Sequence, residues 1–153
     1  MTAKDREAVF AYRGDKEINQ YQGWVPERLE DVDSWLGKRP AEINTPGTWF
    51  QLVILDNGHL EVIGDIGLHF PKDENDICWL GCTLRKADHG KGLASECLES
   101  VMLFLHDALQ KEGVVAYIKE KNFPSRRLFE RLGFKNVAVE EGDLYKYFRT
   151  LPI

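Results

Sequence analysis

The first 37 residues carry the start and stop signals of helices, and from Thr48 the pattern changes to the aromatic and β-branched runs of strands. Thr2-Ala3-Lys4-Asp5 has the form of a capping box, which predicts a helix from Ala3 to Arg13 stopped by Gly14. A further turn is expected over Lys16 to Tyr21. Pro26, suited to a first helical position, predicts a second helix from Glu27 to Leu36 closed by Gly37. Lys38 to Gly47, with Pro40 and Pro46, reads as a loop. Thr48 to Leu55 is aromatic and β-branched, and Asp56-Asn57-Gly58 is a hairpin turn signal. Further strands are expected from Leu60 to Phe70 and from Asn75 to Leu84.

After Gly90 the period becomes helical. Leu93, Cys97, Leu98, Val101, Met102, Leu105 and Leu109 mark one face of the longest helix, expected to end near Gly113. Val114 to Ile118 is a short apolar strand, parallel to the strand before the helix if the crossover is right-handed. Asn122 to Leu132 predicts a helix with Gly133 at its end. Phe134 to Val139 and Leu144 to Arg149 predict a closing antiparallel hairpin. The order is that of one mixed α/β domain spanning residues 1–153.

The chemistry concentrates where a strand runs through Thr83 into Gly90-Lys91-Gly92 and then a helix. Glycine lets backbone approach a ligand, and the first N–H groups of a helix lack intrahelical partners, so this junction suits a phosphate. It is not a P-loop, because Leu93 and Ala94 stand where Lys and Ser or Thr are required. Nor is it a dinucleotide fingerprint, since the glycines fall mid-chain after an antiparallel hairpin. A second motif runs from Asn122 to Phe134, in which Asn122 reads as an N-cap and Leu128 and Leu132 as core.

Gly90-Lys91-Gly92-Leu93-Ala94, followed by Asn122, Ser125, Leu128, Glu130, Gly133 and Phe134, resembles the GNAT acetyltransferases. With Tyr21-Gln22-Gly23-Trp24, the pattern is most similar to the branch containing ribosomal-protein-alanine N-acetyltransferases. The resemblance implies a GNAT fold: a mixed, mostly antiparallel sheet with a central parallel pair, flanked by helices. The family's usual first strand is not expected here, since the chain opens almost at the first helix; the sheet should begin at Thr48. It implies acetyl-CoA as acetyl donor, with the backbone of His89, Gly90, Lys91, Gly92, Leu93 and Ala94 holding the pyrophosphate. Cys82, Thr83 and Leu84 would pair with the pantetheine arm, Asn122 would bond it, and Phe129 would pack beside it. Transfer in this family is direct, without an acyl-enzyme.

Three positions depart from the family pattern. Ala87 stands at the first position of the usual [QR]-x-x-G-x-[GA] motif. Phe129 replaces a common tyrosine acid, and Trp79 occupies the place of a common glutamate. Other groups must then move the protons. Ser125 is either a cap residue or the donor to the leaving thiolate. Asp65 and His69, four apart on one strand and so on one face, are candidate bases or edge residues. His89 should matter through its backbone, while His59 and His106 belong to the surface. The alternative reading is a catalytically degenerate acyl-CoA-binding regulatory module.

Composition narrows partners. A net charge of −5 argues against nucleic acid, which wants a basic face. No apolar run approaches the roughly 20 residues of a membrane helix. Cys78 and Cys82 on one strand would lie about 13 Å apart, too far for a disulfide. Free thiols, no metal and a cytoplasmic monomer or homodimer are expected, acting on a small-molecule amine or a protein N-terminal amine.

Overall fold

The computed structural model describes residues 1–152. A short 3₁₀ turn, Ala3–Asp5, leads into α1 (Arg6–Arg13), and α2 spans Leu29–Gly37. Strands β1 (Thr48–Leu55), β2 (Val62–Phe70) and β3 (Ile77–Leu84) precede α3 (Leu93–Asp107). Then come β4 (Gly113–Lys119), α4 (Phe123–Arg131), β5 (Lys135–Val139) and β6 (Leu144–Thr150). The strands form one sheet in the order β1-β2-β3-β4-β6-β5. Only β3 and β4 run parallel, as a crossover through a helix requires.

The sheet begins at Thr48, and residues 1–40 contain no strand. Several boundaries differ from the sequence reading. The second helix starts at Leu29 because Asp31 Oδ2 accepts from the backbone N–H groups of Glu27 and Arg28, fixing the cap there instead of at Pro26. The β1–β2 turn is longer than Asp56-Asn57-Gly58: Leu60 takes φ +53°, and the Asp56 N–H donates to Glu61. Strand β2 therefore starts at Val62. α3 stops at Asp107, six residues before Gly113.

Strand alternation divides the buried residues. One face presents Ile66, Leu68 and Phe70 from β2, Cys78 and Leu80 from β3, and Val114, Ala116 and Ile118 from β4. Leu98, Met102 and Leu105 of α3 pack there, at spacings that place them on one helical stripe, with Phe129 of α4. The opposite face meets α1 and α2 near Asp65, above a smaller core of Val9, Tyr12 and Val32. Burying a side chain of this size contributes about 1.5–3 kcal/mol, so the α3 face anchors the fold.

Candidate active site

Pairing between β3 and β4 covers only Ile77↔Gly113 through Trp79↔Val115. Beyond that point the strands diverge, while β3 stays paired with β2 as far as Leu84. The edge of β3 facing the divergence has no strand partner, and a groove of about 760 Å³ opens beside it. Cys82, Thr83 and Leu84 line one wall. His89, Gly90, Gly92, Leu93 and Ala94 form its end, and Asn122, Ser125 and Phe129 the facing wall. Eleven of the fourteen singled-out residues thus meet in one groove; Lys91, Asp65 and His69 do not line it.

The local folding of the loop follows from its residues. Gly90 and Gly92 both take φ +76°, a region that L side chains rarely enter. A Cβ at either glycine would meet no atom within 4 Å, so the space above the loop is open. Gly92 caps α3, leaving the N–H groups of Leu93, Ala94 and Ser95 at the groove without helical partners. The loop is braced from below by Asp88, which pairs with Arg85 and, at 3.5 Å, with Lys91. Burial would raise its carboxyl, but these two cations hold it below the usual carboxylate range. His89 contributes more than backbone: its Nε2 lies 2.6 Å from the Leu84 carbonyl, tying the loop to β3.

On α4, Asn122 Oδ1 accepts from the Ser125 N–H at 3.4 Å, an N-cap that brings Ser125 to the groove. Phe129 is buried, edge-on to Phe134 at 5.0 Å. Four cations at the groove escaped the sequence reading: Lys86, Lys121, Arg127 and Arg131. The i, i+4 spacing of Arg127 and Arg131 was the available signal, because it puts both on one helical face. Burial pushes the Cys82 thiol up to about 12, with the charges of Asp65 and Cys97 adding, so it stays protonated at neutral pH.

Asp65 is corrected by its surroundings. It is fully buried, and Arg13 grips it twice, Nη2 to Oδ1 at 2.6 Å and Nε to Oδ2 at 3.0 Å. Tyr12 Oη and Gln51 Nε2 also donate to it. A carboxylate so saturated has no lone pair to offer a substrate, and it acts as an anchor. His69 is different. Its ring lies between Trp49 and Trp79, and its Nδ1 is buried with no hydrogen-bond partner among the described residues. Burial lowers its pKa, with the neighbouring Thr48 backbone offsetting part of this. All three cysteines are free thiols. Among the described residues no helix is long and apolar enough to cross a membrane.

A family model described as an acetyltransferase (GNAT) domain matches residues 1–135. The chain is 24% identical over 143 residues to an uncharacterised N-acetyltransferase, p20, of Bacillus licheniformis, covering 91% of this chain and 78% of that one. It is 27% identical over 147 residues to an N-acetyltransferase 9-like protein of Nematostella vectensis, covering 83% and 74%. Among solved structures, a domain from Methanocaldococcus jannaschii superposes with a TM-score of 0.81 at 22% identity, covering 99% and 95%. The spermidine N-acetyltransferase of Vibrio cholerae, in complex with CoA and spermine, gives 0.83 at 15% identity, covering 98% and 92%.

Proposed function

The chain belongs to the GNAT acetyltransferase family, and from that premise we propose that it moves the acetyl group of acetyl-CoA directly to a primary amine. The observation that carries this reading is the groove itself: an open left-handed glycine loop at a helix start, continuous with the unpaired edge of β3. Its residues fit the donor. The N–H groups around Gly90 to Ala94 offer the pyrophosphate a positive helix end, and Lys121, Arg127 and Arg131 offer cations to its phosphates, while Lys86 pairs with Glu17 at 2.9 Å. Lys91 points its charge at Asp88 and serves through its backbone. Cys82, Thr83 and Leu84 offer strand hydrogen bonds to the pantetheine arm, with Asn122 and Phe129 on the other side.

In this reading the protein holds the thioester and the amine together, so proximity supplies much of the acceleration. A backbone N–H of β3 stabilises the oxyanion formed on attack. His69, held neutral by burial and set back from the groove, accepts the proton of the incoming ammonium through water. Ser125 hands a proton to the departing thiolate and takes one in turn from water in the groove, so the serine ends neutral. Cys82, protonated, is no nucleophile, in keeping with direct transfer. The resemblance around Tyr21-Gln22-Gly23-Trp24 keeps a protein N-terminal amine, such as that of a ribosomal protein, among the acceptors beside small amines. The setting proposed is the cytoplasm, as a monomer or homodimer.

Thiol release from acetyl-CoA, followed across a panel of primary amines, tests the proposal. Release that depends on the amine is expected. Acetyl-CoA binding without release on any amine, small or N-terminal peptide, would favour the regulatory-module alternative.

A further inference from the structure

Four rings cross the sheet face opposite α3. Trp49, His69 and Trp79 are register partners on β1, β2 and β3, with ring centroids 5.0 and 4.6 Å apart. Tyr117 of β4 meets Trp79 edge-on at 4.8 Å. Trp49 remains 38% exposed, so the row is not sealed into a core. Its placement is specific: Trp79↔Val115 is the last pair before β3 and β4 diverge, so Trp79 and Tyr117 flank the mouth of the divergence. Beside them Gly81 leaves open space, with nothing within 4 Å of where a Cβ would stand.

The carboxylates around this row are already spent: Asp143, just before β6, pairs with Lys119 at 3.2 Å. By strand alternation the only carboxylate that β1, β2, β3, β4 or β6 places on this face is Asp65, which Arg13 already neutralises. Lys146 is the register partner of Tyr117 and makes no ion pair among the described residues. Arg39 stacks on Trp35 at 4.4 Å, its buried Nε without a partner. A polycation would find aromatic faces here but no carboxylate, and a free lysine against it. An amine carrying its own anion would find a partner.

We infer that the acceptor is an amine with an aromatic or flat apolar body and a carboxylate, the chemistry of an aromatic α-amino acid, lying on Trp49, His69, Trp79 and Tyr117 with its carboxylate at Lys146. The amine then sits at the strand divergence, the ring lies toward β2 and β1, and the carboxylate reaches toward β6. Strands about 4.8 Å apart put Lys146 within one side-chain length of that position. This rests on the acetyl-transfer reading and deepens it.

The test compares L-phenylalanine, L-phenylalaninamide and spermidine as acceptors, by thiol release. Phenylalanine should exceed its amide about tenfold in kcat/KM, as expected for a charged hydrogen bond, and spermidine should be poorest. Lys146→Met should collapse the acid-to-amide ratio to near one, through KM, while acetyl-CoA still raises the melting temperature. Trp79→Leu should weaken both aromatic acceptors. Preference for the amide or for spermidine, an unchanged ratio in Lys146→Met, or turnover of none of the three by protein that binds acetyl-CoA would overturn the inference. Loss of acetyl-CoA binding in the parent protein would instead strike the acetyl-transfer reading.

Discussion

Arg13 and Asp65, 52 residues apart in sequence, form a two-pronged ion pair that fastens α1 to the middle of β2. Arg13 is only 9% exposed and Asp65 not at all, so neither charge has water to fall back on. Removing one partner of such a pair strands the other, at a cost of about 3–5 kcal/mol. Asp65→Ala should therefore lower the unfolding free energy by roughly that amount, measured in urea. Were Asp65→Ala to keep its stability and lose only turnover, Asp65 would be a base after all.

His69 sets the second prediction. Burial holds its pKa below the ordinary value of about 6.5, so the ring is neutral and proton-accepting at neutral pH. His69→Gln should reduce kcat/KM by about 10²–10⁴-fold near neutrality. The loss should shrink at alkaline pH, where the amine has shed its proton unaided. The depressed pKa also means His69 contributes stability above about pH 6.5 that fades as pH falls through its folded value. A pH profile of kcat/KM for parent and variant checks this; a deficit equal at every pH would leave His69 a wall residue.

Ser125 carries the third. Its N–H is held by Asn122, which fixes the helix start and leaves the residue at the groove. Ser125→Ala should cut kcat about tenfold or more, with acetyl-CoA affinity little changed. Phe129→Tyr, which returns a phenol to the same wall one helical turn on, should keep or raise activity. Normal turnover by Ser125→Ala would make the serine a cap residue only, with water or substrate protonating the thiolate.

Local patterns were legible in the sequence, and contacts between distant segments were not. β1 runs from Thr48 to Leu55 as its β-branched and aromatic run predicts. α4 starts after Asn122 and ends before Gly133, whose φ of +87° suits a helix stop. The glycine loop and Asn122 stand on one groove because parallel β3 and β4 end on the same side of the sheet, and the groove opens where they diverge. Asp65 was misread because its neutralising partner lies far away on α1, where no spacing rule reaches. The aromatic row was equally hidden: Trp49, His69, Trp79 and Tyr117 meet only through sheet register. The α2 start moved because Asp31 captured two backbone donors, a competition that a proline signal does not reveal.

The central claim is that the loop of Gly90 and Gly92 receives acetyl-CoA, and melting with and without that ligand tests it most directly. At about 100 times its dissociation constant, acetyl-CoA should stabilise the parent by about 2.7 kcal/mol, roughly 5–10 °C in Tm. Gly92→Asp keeps a residue that tolerates left-handed backbone, yet sets a negative charge in the cradle, so the variant should fold and lose the shift. A parent protein whose Tm stays unmoved by saturating acetyl-CoA would contradict the account.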